Sequence, residues 1–149
     1  MTPVMAHKPT LDGPFSNLDN AFVIEDSTIS IVVYQEITCD NNQLWMQFDV
    51  DAEAELYIQL GVPVIDRLAG YRPQLAVLAK GLPEANDLPF TPPSGLGAQI
   101  FHSSEESSDF YEPFTQTESW FYIEETIVIP QSGTGYNCVK ANLALGAKQ

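Results

Sequence analysis

Cationic side chains are scarce in this chain. Six lysines and arginines stand against twenty aspartates and glutamates in 149 residues, a formal net charge of -14. That balance counts against a nucleic-acid partner, because a phosphate backbone needs a basic stripe and Arg67, Arg72 and Lys80 do not make one. The same field repels an anionic membrane surface. Long apolar runs are missing too. No stretch approaches the ~18–20 residues that cross a bilayer as a helix, and Ile127-Val128-Ile129 reads as the core of a strand. There are two histidines, His7 in a proline-rich arm and His102 beside Ser103, Ser104 and Glu105. Neighbours on an extended segment point to opposite faces, so His102 makes no hydrolase triad there. No P-loop, GxGxxG or HExxH occurs, which removes the phosphate-cradle, dinucleotide and zincin readings. The two cysteines, Cys39 and Cys138, lie far apart and outside any CxxC or Cys/His array, against a zinc site. Two readings stay open for them, a disulfide joining an early loop to the last strand and a pair of inert thiols.

What is present is alternation. In QLWMQFDVDAEAELYIQLGV, residues 43–62, Leu44, Met46, Phe48 and Val50 hold one parity and Gln43, Gln47, Asp49 and Asp51 the other. Leu56, Ile58, Leu60 and Val62 repeat the pattern after Asp51-Ala52-Glu53-Ala54. This is the period of half-buried strands, and the simplest arrangement is an antiparallel hairpin, each strand with one dry face. Trp45 shares its parity with Gln47 and Asp49 and is expected on the wet face.

Proline and glycine punctuate the rest. Residues 1–21 carry Pro3, Pro9, Gly13 and Pro14 and read as an extended arm. Strands are expected over 27–37, 74–80, 98–101, 118–129 and 136–145, the fourth bent or split near Glu124-Glu125, with Trp120 and Tyr122 on one face and Phe121 and Ile123 on the other. Val62-Pro63-Val64 ends the second strand of the pair, since proline cannot donate to a central ladder. Residues 66–73 form a loop. Residues 81–97 hold Pro83, Pro89, Pro92, Pro93, Gly95 and Gly97 and read as a long surface loop, of a length usually associated with function or mobility. No amphipathic helix or internal repeat is evident. The expected architecture is an all-β, jelly-roll-like antiparallel sandwich over 22–149, preceded by the arm.

On its motifs the chain resembles bacterial extracellular β-sandwich modules of the pre-peptidase C-terminal type and their uncharacterised secreted relatives. The residues that carry the likeness are Phe48, Val50, Leu56 and Ile58 in the opening pair of strands, Lys80-Gly81-Leu82-Pro83 at the turn after a strand, and Pro130 to Tyr136 before the last strand. It covers 20–136, and NCVKANLALGAKQ after Asn137's predecessor Tyr136 departs from the usual glycine-rich closing strand. The resemblance implies a non-catalytic appendage working outside the cytoplasm. The first residues, MTPVMAHKPT, show neither a positive n-region nor an apolar h-region, so either the protein is cytosolic or, as the resemblance implies, its signal peptide lies outside the given chain.

Candidate chemistry comes from acids and aromatics. The charge reads either as a solubility device or as oxygen ligands for calcium, with Asp49 and Asp51 near Glu53 and Glu55 as one group and Glu105, Glu106 and Asp109 as the other. An EF-hand is excluded, because the glycine at the sixth position and the distal glutamate are missing. Glu112, between Tyr111 and Pro113-Phe114, is the one acid in an aromatic setting. Tyr111, Glu112 and Phe114 are therefore the expected binding anchors, on a surface where 81–97 and 102–117 gather at one end of the sandwich. The expected function is a non-catalytic, extracytoplasmic interaction module with a protein or glycan partner. Two alternatives are a carbohydrate-binding or carbohydrate-active protein using Glu112, and a structural subunit forming homo-oligomers by strand addition through the arm.

Overall fold

A computed structural model describes residues 8–10, 15–26, 31–33, 42–85, 88, 90–113 and 116–140. Among them ten strands form: β1 (Lys8–Thr10), β2 (Phe22–Ile24), β3 (Ile31–Val33), β4 (Gln43–Val50), β5 (Ala54–Pro63), β6 (Gln74–Ala79), β7 (Gly97–His102), β8 (Ser108–Glu112), β9 (Thr117–Ile129) and β10 (Gly133–Lys140). One sheet has five strands in the order β2-β4-β10-β6-β7, a second has three in the order β5-β9-β8, and β1 pairs with β3. Pairing is antiparallel within both larger sheets except where β2 runs parallel to β4. Leu44, Phe48 and Val50 of β4, Leu75 and Val77 of β6 and Val139 of β10 meet Leu56 and Ile58 of β5 and Ile123, Ile127 and Ile129 of β9 in one core. The chain is thus an all-β sandwich, and this strand order establishes no jelly-roll wiring in particular.

The two alternating runs form as strands but not as a hairpin. β4 lies between β2 and β10, whereas β5 is an edge strand beside β9. The turn at 51–53 carries the chain from one sheet to the other. Glu53 adopts φ 64 there and its N–H donates to the Ile129 carbonyl at 2.8 Å. Alternation reports which face of a strand is dry, and two dry faces can be satisfied side by side or across a core. Here they look at each other across it.

Trp45 overturns its wet-face assignment, being only 2% exposed. It belongs to a second apolar cluster on the far side of the five-stranded sheet, with Ala76, Leu78, Ala98 and Cys138. The long 81–96 connection lies over that cluster through Ala85, Leu88, Phe90 and Leu96, joined by Leu18 and Ala21. Phe90 meets the Trp45 ring edge-on with centroids 4.8 Å apart. The indole N–H, which needs a partner when buried, donates to Gln43 Oε1 at 2.9 Å. A sheet covered on both faces explains why β6 reads QLAVLA without alternation.

β9 is continuous, and its irregularity lies opposite Leu60/Gly61, between Phe121 and Ile123, rather than at Glu124-Glu125. One extra residue on β9 lets Tyr122 and Ile123 both be buried, at 6% and 3% exposure, which no strict alternation allows. Gly61 is needed opposite it, because a Cβ there would overlap the Phe121 ring. The arm expected over 1–21 is docked where it is described: β1 pairs with β3, Phe15 accepts a hydrogen bond from the Trp45 N–H at 2.7 Å through its carbonyl, and its ring packs edge-on against Phe22.

Candidate functional site

β8 was not expected as a strand, and it shapes the most distinctive surface. Its pairing with β9 sets Asp109 opposite Trp120 and Tyr111 opposite Glu118. Directly opposed residues share a face, as do residues two apart along one strand. The four side chains therefore form a checkerboard in which each carboxylate has an aromatic ring as its neighbour both along and across the strands. Val62 pairs with Trp120 from β5 and is 3% exposed, so this face continues the inward face of the small sheet. Here that face is open to solvent. Val64, Asp109, Phe110, Tyr111, Glu118, Ser119 and Trp120 line a depression of roughly 320 Å³.

Local packing fixes its walls. Phe110, the residue between Asp109 and Tyr111, stacks on Phe121 with centroids 4.8 Å apart and planes 16° apart, which pins β8 to β9. The Val64 N–H donates to the Glu118 carbonyl at 3.0 Å and extends the β5 contact past Pro63. Tyr111 is left 53% exposed, while Trp120 is half-buried and Asp109 and Glu118 are exposed. No lysine, arginine or histidine lines the depression among the described residues.

The expected anchors are only partly gathered. Tyr111 lies in the depression. Glu112 closes β8 with its backbone paired to Thr117, and Phe114 lies outside the described residues. From the 81–97 segment, expected to help form a binding surface, Ala85, Leu88, Phe90 and Leu96 instead pack onto the cluster around Trp45. Asp49 is on the exposed side of β4, where it accepts a hydrogen bond from Thr134 Oγ1 at 2.5 Å, and Asp51 stands in the turn between the sheets. Glu105 and Glu106 are exposed in the connection between β7 and β8, and Asp109 is across the strand from Trp120. Among the described residues no three histidine, cysteine or acidic side chains gather to hold a metal ion. His102 Nδ1 is 3.1 Å from Gln74 Nε2 on an exposed strand pair. Cys138 is buried in the cluster around Trp45, and Cys39 lies outside the described residues, so the choice between a disulfide and two inert thiols does too.

Sequence reasoning does not single out Glu118, and it places Trp120 only on the face it shares with Tyr122. A clue lay in the spacing: D-x-Y at 109–111 and E-x-W at 118–120 place an acid and an aromatic at alternate positions on two neighbouring segments. That clue is readable only once 108–112 is recognised as a strand.

The chain matches no family model, no curated protein and no solved structure. No helix among the described residues is long and apolar enough to cross a membrane.

Proposed function

We propose that this sandwich is a non-catalytic binding module acting outside the cytoplasm, and that the Asp109, Tyr111, Glu118 and Trp120 face is its contact surface. The observation that carries the reading is Tyr111, 53% exposed in a depression beside Trp120. Leaving so large an apolar surface in water is unfavourable, and aromatic residues with a polar edge are the ones enriched where partners dock. The rings sit on paired strands, so contact costs little further ordering. Hydrolysis is the weaker reading. A glycosidase acid must be desolvated to hold its proton at neutral pH, and both carboxylates of this face are exposed.

Printed glycan and peptide arrays probed with the wild-type protein and with Tyr111→Ala test this. At least one class of ligand should bind the wild type, with binding reduced about tenfold or more in the variant and the melting temperature little changed. Undiminished binding by Tyr111→Ala overturns the assignment of the surface. Turnover of a bound glycan, lost in Glu112→Gln or Glu118→Gln with the fold intact, would make the protein an enzyme.

A further inference from the structure

Taking the binding-module reading as our premise, we infer that the depression recognises an alkylammonium group, the lysine of an extended segment of a partner protein. The checkerboard is the basis. Residues opposed across antiparallel strands have Cβ atoms ~4.5–5.5 Å apart and diagonal ones ~7–8 Å apart. Asp109 and Glu118 occupy one diagonal and Tyr111 and Trp120 the other. A cation above the centre is flanked by two carboxylates and lies within the ~6 Å reach over which an aromatic face attracts it.

Electrostatics select the same ligand. No basic side chain lines the depression among the described residues, and the chain carries a net -14 that concentrates cations at its surface. A neutral sugar stacked on the two rings can donate hydroxyl hydrogen bonds to the carboxylates but neutralises neither of them. An ammonium supplies the opposite charge. A second copy of the chain is disfavoured as the donor, because two bodies of -14 repel.

The neighbouring backbone points to a peptide rather than a free amine. β8 is the last strand of its sheet, and among the described residues no strand pairs with its outer side. An edge strand presents main-chain donors and acceptors to an added strand. A segment lying along β8 would place alternate side chains on the face that holds Asp109 and Tyr111, within reach of a lysine stem.

The test is an array of extended peptides printed in lysine and acetyl-lysine versions, followed by titration of the best binder with NMR detection. Lysine peptides should bind, acetylation should weaken them about tenfold or more, and the Trp120 indole and Tyr111 signals should shift. Asp109→Asn with Glu118→Gln should abolish binding. Glu55→Gln with Glu84→Gln, the same charge change at exposed sites outside the depression, should retain it. Equal binding of acetylated peptides, or equal loss in both double variants, overturns the inference. A neutral glycan bound through Tyr111, with no lysine peptide bound, overturns it and leaves the binding module standing. No ligand of either kind overturns both.

Discussion

The guanidinium carbon of Arg72 stands 4.1 Å from the centroid of the Tyr122 ring, at the bulge of β9. The same side chain donates to the Ala69 carbonyl at 2.9 Å, the Tyr71 carbonyl at 3.1 Å and, more loosely, the Glu105 carbonyl at 3.4 Å. Ser104 meets the Tyr122 carbonyl through its N–H at 3.1 Å and its Oγ at 2.9 Å. One arginine thus ties the loop before β6, the connection before β8 and the bulge of β9 together, two positions from Trp120. A planar fork stacked on a ring is not replaced by an ammonium.

Arg72→Lys is therefore expected to cost about 1–2 kcal/mol by loss of two or three hydrogen bonds and part of the cation–π contact. Calorimetry should show the melting temperature lowered by roughly 2–8 °C. An unchanged transition would mean that the lysine re-forms the tie.

Gly97 and Gly70 make a matched contrast. A Cβ at Gly97 would run into the carbonyls of Leu82 and Pro83, backbone that cannot swing aside, at the point where Ala98 N–H donates to the Pro83 carbonyl at 2.8 Å. Around Gly70 nothing lies within 4 Å. Gly97→Ala should cost about 3 kcal/mol or more, as overpacking against fixed atoms does, and Gly70→Ala should stay within about 0.5 kcal/mol of wild type. Denaturant midpoints at constant m-value check both.

The cover over Trp45 can be read by fluorescence. Phe90→Ala removes the ring that meets the indole edge-on, opening a gap at one side of the second cluster. We expect a loss of about 2 kcal/mol and a red-shifted Trp45 emission, compared in a Trp120→Phe background so that Trp45 alone reports. An unshifted spectrum would place the loop elsewhere than over Trp45.

What sequence reveals here follows from which contacts are periodic. Leu44, Phe48, Val50, Leu56 and Ile58 are all core residues as their alternation requires, and Pro63 does end β5. Partner strands are another matter, because Val50 and Leu56 look equally dry beside or opposite each other. The wet-face reading of Trp45 fails for a related reason: its face is dry because Ala85, Leu88, Phe90 and Leu96, some forty positions later, pack over it together with Leu18 and Ala21. Tyr111 was legible as an aromatic beside acids. Its neighbours Glu118 and Trp120 were not, since what joins them to it is the β8–β9 register, with Phe110 stacked on Phe121 beside it, and nothing periodic in the sequence announces that pairing.

Tyr71 carries the last prediction. Its hydroxyl is buried with no hydrogen-bond partner among the described residues, and burial pushes its pKa above the ordinary 10.0. The unfolded chain therefore releases this proton more readily than the folded one. The group has no effect on the pH dependence of stability well below pH 10, and it favours unfolding progressively as pH rises from about 10 toward the raised folded value. Tyr71→Phe removes both the unpaired hydroxyl and the titration. We expect it to be neutral or slightly stabilising at pH 7, because the hydroxyl it deletes is desolvated without return. Between about pH 9.5 and 11 its stability should fall less steeply than that of the wild type. Chemical denaturation of both proteins across that range measures the difference in slope, and parallel curves would show that Tyr71 ionises as easily folded as unfolded.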